Sequence, residues 1–206
     1  MRATTLAKIV SLILLALVLV AATPLTIDQK MRVTMREWSA TEAVASDVDA
    51  VMAALTDDGE EAVVTTGLTN PPCPRNITVT AGGTAGDIKA ISVTVAGTRQ
   101  GVAVSEVIGP FTVNTAGTVA GSKVFDKVTS VTVPAHDGTG ATTSVGFGEL
   151  LGLPYAPEYP ALIGAYEDGA VDASATLSVG ATLSDCYVDM ANNMDGDPIT
   201  VIYVRE

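Results

Sequence analysis

The sequence predicts an all-β protein: an antiparallel β-sandwich, Ig-like or jelly-roll-like, with an N-terminal apolar segment and a short helix. Three observations carry this. Between Arg75 and Gly148, apolar and polar residues alternate in short runs. Ile77 and Val79 alternate with Asn76, Thr78 and Thr80. Ile91, Val93 and Val95 alternate with Ser92, Thr94 and Ala96, and Val131 and Val133 flank Thr132. A side-chain period of two marks a strand with one buried face. Second, Gly and Asn separate these runs at short spacing, the grammar of antiparallel sandwiches and barrels. Third, the chain is 48% hydrophobic but only 4% aromatic, so its core must be built from Val, Ile, Leu and Ala.

The elements follow in order. Residues 1–30 form an apolar leader: Arg2 and Lys8 precede the run Ile9 to Ala22, which Pro24 ends. The run is short for a membrane span and has the shape of a secretory signal, with Val20-Ala21-Ala22 as a cleavage site. A retained anchor, an assembly helix, or a true start at Met31 or Met35 are the competing readings. Residues 31–60 are expected to be a helical and linker segment. Ser39-Ala40-Thr41-Glu42 fits a capping box, and Val44, Val48, Val51, Met52 and Leu55 recur at helical spacing, which predicts a helix over Ala40 to Leu55. Residues 61–206 are expected to be the sandwich.

Within the sandwich, Glu61 to Thr66 reads as a strand, and Asn70-Pro71-Pro72-Cys73-Pro74 as a rigid linker that lacks amide donors. Val102 to Ile108 reads as a strand whose apolar face shifts near Val107, as at a bulge. Gly117 and Gly121 are expected to frame a turn, and Phe125 to Val133 to be one long strand stopped by Pro134. Leu150 to Pro160 is a Pro- and Tyr-rich crossing. Leu162 to Tyr166 is a strand with Asp168-Gly169 as its turn, and Cys186, Val188 and Met190 mark another. Asp195-Gly196 signals a hairpin before Ile199 to Val204, an apolar strand expected to be buried on both faces or under a partner.

The charge excludes some functions. With 23 acidic and 11 basic residues the chain carries −12, which argues against nucleic acid and against docking on anionic lipid. Membrane contact is expected only through the leader. The two cysteines, Cys73 and Cys186, are too far apart in sequence for a metal-site motif. They leave open one disulfide or two thiols.

Candidate sites are few, and each has a plainer explanation. Ala81 to Gly86 is a Gly-rich loop, but a strand follows it rather than the helix N-terminus a phosphate cradle needs. His136 beside Asp137 suggests a base and its orienter. Neighbours on a turn rarely reach that geometry, and a His that holds the turn by a local hydrogen bond is expected. Asn193, Asp195 and Asp197 alternate like calcium ligands but lack the sixth-position Gly and the closing Glu. Asn76-Ile77-Thr78 is a glycosylation sequon inside an apparent strand. No residue is therefore assigned as catalytic, cofactor-binding or metal-binding, no cofactor is expected, and an enzymatic role is not expected.

Four phrases carry a resemblance: TAGGTAGDIKAISVTVAGT (80–98), FTVNTAGTVAGSKVF (111–125), VTVPAHDGTGATTSVGFG (131–148) and LGLPY (151–155). Together they resemble a family of tailed-phage and prophage virion proteins, of the head-decoration-like or head-fibre-like kind, over about Val64 to Val204. The resemblance implies a non-enzymatic structural protein displayed in symmetric copies on a virion. Its implied partners are itself, with a trimer as first expectation, and other virion proteins such as the major capsid protein. The alternative is a secreted or surface-anchored adhesion or glycan-binding module, which the leader favours and the sparse aromatics weaken.

Overall fold

The computed structural model describes residues 32–157 and 161–205. The leader, with its signal, anchor and assembly-helix readings, lies outside the described residues. Among these residues the fold is all-β, and every strand pairing is antiparallel. Sheet one runs in the order β1 (Arg32–Trp38), β14 (Ile199–Arg205), β10 (Leu162–Glu167), β11 (Ala170–Val171). Sheet two runs β12 (Thr176–Ser178), β13 (Tyr187–Asp189), β9 (Ala141–Gly152), β4 (Arg75–Gly83), β7 (Gly117–Phe125), and β2 (Asp47–Thr56) also pairs with β9. Sheet three runs β3 (Ala62–Val64), β8 (Lys127–Val133), β5 (Val93–Arg99), β6 (Val102–Ile108).

Two apolar cores result. The first holds Ile77, Val79, Val93, Val95, Phe125, Val131, Val145 and Phe147, the inward residues of sheets two and three. The second gathers Trp38, Leu151, Leu153, Val188, Ile199, Val201 and Tyr203 beneath sheet one. Strand β9 serves both, since Phe147 belongs to the first core and Leu151 to the second. Along one side β9 pairs with β4. Along the other it pairs first with β2 and then with β13. Strand β14 is central in sheet one, between β1 and β10, and instead of being buried on both faces it buries Ile199, Val201 and Tyr203 and leaves Thr200 and Ile202 half-buried.

The expected helix over Ala40–Leu55 is not formed, and in place of a helical and linker segment residues 32–60 contribute β1 and β2 to the sheets. Half of the capping box does form, with Glu42 reaching back while the Ser39 hydroxyl turns to the Glu42 carboxylate instead of its amide. Ser39 N–H donates to Glu42 Oε2 at 2.9 Å, and the amides of Glu42 and Ala43 donate to Ser39 O. The turn stops there, because the β-branched Val44, Val48 and Val51 favour extended backbone. Strand β2 has register shifts on both sides of Met52, so it buries Val51 and Met52 together and exposes Val48. Uneven burial along an irregular strand produces the spacing that reads as helical.

Four smaller expectations are also corrected. Gly117 and Gly121 lie within β7 rather than framing a turn. The stretch Phe125 to Val133 is two strands, broken at Asp126, whose amide donates to Thr98 O. There is no bulge near Val107: the β5–β6 register is continuous from Val93↔Ile108 to Arg99↔Val102. The apparent face shift arises because Glu106 faces the neighbouring β7, where it accepts from the Ser122 amide at 2.7 Å, while Val107 faces outward. Finally, Asp195-Gly196 joins β13 of sheet two to β14 of sheet one, so it is a crossing and not a hairpin. The Asp168-Gly169 turn does form a hairpin, with both residues at positive φ.

Close approach of β2 to β9 depends on Gly146. A Cβ there would fall 1.7 Å from Asp47 O, a backbone atom that cannot move aside alone. Gly146→Ala is expected to lower stability by about 3 kcal/mol, as overpacking against backbone does. Gly86→Ala has open space and should change it by less than about 0.5 kcal/mol. Urea midpoints of the two variants check both values.

Candidate functional site

His136 lies at one end of the sandwich, but it does not work with Asp137. Its ring is buried and stacks on Phe111, with centroids 6.0 Å apart. Nδ1 accepts from the Lys89 amide at 3.2 Å. Nε2 therefore carries the proton and donates to Thr143 Oγ1 at 3.0 Å. The expected local turn contact is replaced by bonds to β9 and to the segment before β5. The His136 amide is held by Asp57 Oδ1, while Asp137 pairs with Lys89 Nζ at 3.2 Å. Both ring nitrogens are spent on the fold, and burial holds the imidazole below its usual range against the pull of Asp57 and Asp137.

The Gly-rich loop folds onto the same turn. Thr84 N–H donates to Gly140 O at 2.8 Å, and Asp87 Oδ2 accepts from the Gly140 amide at 3.0 Å. The Thr84 amide that a phosphate cradle would offer is thus engaged by protein. Gly138 has no left-handed φ; what forbids a side chain there is the Asp87 carboxyl group, 2.6 Å from an added Cβ.

The remaining sequence candidates are separate from one another. Asn193, Asp195 and Asp197 are exposed, and Asp195 Oδ1 caps the Asp197 amide at 3.1 Å. Among the described residues no group of three His, Cys, Asp or Glu converges as metal ligands would. Asn76 of the sequon is buried. Its amide nitrogen donates to Gly121 O and its oxygen accepts from the Leu150 amide, so it staples β4 to its neighbours. Cys73 and Cys186 are both unbridged and buried in the second core. Cys73 Sγ donates to Glu42 O and Cys186 Sγ to Thr182 O. Burial pushes the Cys73 thiol up to about 11 despite the nearby Arg75.

Sequence reasoning did not single out a cleft of about 360 Å3 between the β5–β6 hairpin tip and the 182–184 loop. The tip is Gln100-Gly101, both at positive φ, as a tight primed turn requires. Arg99 forms part of the cleft wall although only 3% exposed. One of its terminal nitrogens donates to Leu153 O, the other lies 3.8 Å from Asp126, and Nε–H has no acceptor. Lys123 is on the opposite wall, 2.7 Å from Asp185. That contact, helped by Thr182, holds Asp185 below the usual carboxylate range. Ser105 and Ser184 add hydroxyls, and Val104 and Leu183 supply apolar wall. The available signal was parity: Arg99 falls in step with the inward Val93, Val95 and Gly97. The arrangement can accept an anionic group, and it holds no nucleophile paired with a base.

Compared with family models, curated proteins and solved structures, the chain matches none.

Two outcomes follow from this chemistry. His136 is the chain's single His and is neutral in the fold. Its folded pKa lies below the unfolded value of about 6.5, so the unfolded chain takes up the proton first as pH falls. The contribution is complete above about pH 6.5 and is lost below it. His136→Ala is expected to cost about 2 kcal/mol at pH 7.5, from two stranded partners and a lost ring contact, and to flatten the stability slope between about pH 7 and 5. Chemical denaturation across that range reads both. For the cysteines, a thiol reagent at pH 8 should find no reactive group in the native chain and two in denaturant without reductant. A disulfide would give none in either state.

Proposed function

We propose that this chain is a non-enzymatic structural protein of a virion, a decoration-like or fibre-like β-sandwich that works in symmetric copies, with a trimer expected. The observation that carries the reading is the outer face of sheet one. Val33 and Met35 of β1 are 64% and 60% exposed, and they stand opposite Val204 and Ile202 of β14. Ile163 and Val171 extend the apolar surface along the far side of the sheet. Several exposed large apolar side chains on one sheet mark a place where another protein sits. Strand β1 also lies at the edge of its sheet among the described residues, with one row of backbone groups turned outward.

The resemblance of the strand-and-turn phrases to virion proteins supports the same reading. A glycan-binding role is less well supported, because Trp38, the sole Trp, is buried in the second core and offers no platform. Partners are then further copies and other virion proteins, such as the major capsid protein. The location is the particle.

Mass spectrometry of particles purified from cells that carry the gene tests this. The chain is expected at a fixed stoichiometry to the capsid protein. Recovery in the cell envelope or the medium alone, with none on particles, overturns the proposal.

A further inference from the structure

We infer that the cleft beside Arg99 is a docking site for the acidic loop Asp57–Glu61 of a second copy of this chain, in a head-to-tail contact. The inference rests on the assembly reading above and adds a surface distinct from the apolar face of sheet one.

Sheet three has chemically opposite ends. Strand β8 runs between them, with Lys127 beside Thr98 at one end and Val133 beside Ala62 at the other. The cleft lies at the Thr98 end. Its polar lining is Arg99, Gln100, Lys123 and the hydroxyls of Ser105, Thr182 and Ser184, with no carboxylate. The three acids nearby, Asp185, Asp126 and Glu106, are already used, Glu106 by the amides of Ser122 and Lys123. Asp185 accepts from Lys123 and Thr182, and Asp126 accepts from Thr98 Oγ1 and the Gln100 amide. Arg99 keeps a buried Nε–H with no acceptor. A buried donor left unpaired is costly, and a guanidinium is best satisfied by a carboxylate.

The acidic loop lies at the opposite end, immediately before Ala62. Its shape is fixed from within. Asp57 Oδ2 accepts from the Gly59 amide, Asp58 Oδ1 accepts from the Glu60 amide, and Gly59 turns at φ 88. Asp57 Oδ1 ties the loop to the His136 amide. This leaves the exposed carboxylates of Glu60 and Glu61 without a hydrogen-bond or ion-pair partner among the described residues. One end of the sheet therefore has a cleft lining without a carboxylate, and the other presents two carboxylates without a partner. A contact between unlike ends is heterologous: it closes into a ring when the rotation permits, and otherwise extends.

Sedimentation velocity of the full chain over a range of concentration and salt tests the contact. Glu60→Gln/Glu61→Gln removes the loop charges. Ala103→Glu places a carboxylate at an exposed position of the cleft wall. Each is expected to weaken self-association about tenfold or more and to reduce its salt dependence, with the melting temperature unchanged. An equimolar mixture should regain one salt-sensitive contact per unlike pair that neither variant shows alone, added to any association through sheet one that both keep, because only one good loop and one good cleft remain to meet. Variants that associate like the parent, or a mixture that fails to pair, overturn the docking and leave assembly through sheet one standing. A parent chain that stays monomeric and is absent from particles overturns both.

Discussion

The structure depends on one strand serving two cores. Strand β9 passes from the sandwich of sheets two and three into the core under sheet one, and the point of passage is occupied by a cation. Arg75 opens β4, stands opposite Leu151 of β9 and Phe125 of β7, and is fully buried. Its guanidinium lies 4.8 Å from the centre of the Phe147 ring, and Nη1 donates to Val44 O at 2.6 Å. Nε and Nη2 have no partner, and burial depresses the Arg75 pKa. A buried, incompletely bonded charge is poor stability by itself. Here it ties the segment entering β2 to the aromatic face of β9, so the first and second cores hold a fixed relation to each other.

The shortage of aromatics gives this arrangement its character. With three Phe, one Trp and five Tyr in 206 residues, the cores are filled by β-branched side chains, which are stiff and bury modest area each. Polar staples supplement them at defined points. Asn76 joins β4 to the backbone at Gly121 and Leu150, and His136 joins the segment before β5 to β9. Both residues invite a functional reading in sequence, as a sequon and as a candidate base. In the fold their hydrogen-bonding atoms are consumed by protein groups.

What sequence could and could not show follows from the same physics. The alternating runs at 93–99 and 127–133 were legible because one face of each strand is buried and the other is not. The helix misreading at 40–55 came from β2, whose register shifts break the period of two on which strand recognition depends. The hairpin signal at Asp195-Gly196 marked a real change of direction. Which sheet the next strand joins is a non-local matter that no dipeptide encodes. The cleft at Arg99 was invisible for a related reason: its walls come from β5, β6, β7 and the 182–184 loop, brought together only by the pairing of distant segments. Parity alone would have shown that Arg75 and Arg99 point inward with their apolar neighbours.

Glu106 illustrates how the fold treats its open margins. Sheets two and three end in β7 and β6, which face each other without a ladder. The Glu106 carboxylate reaches across to the amides of Ser122 and Lys123, in space that Gly121 leaves by having no side chain. An acid turned toward a neighbouring edge blocks uncontrolled strand addition, the route by which β-rich chains become amyloid. The other margins are blunted by brevity, since β3, β11 and β12 are two or three residues long, or by irregularity, as in β2. Among the described residues only β1 remains long and regular at an edge. Among the described residues, backbone-mediated stickiness is thus confined to a single strand, and the other margins stay inert to runaway fibre growth.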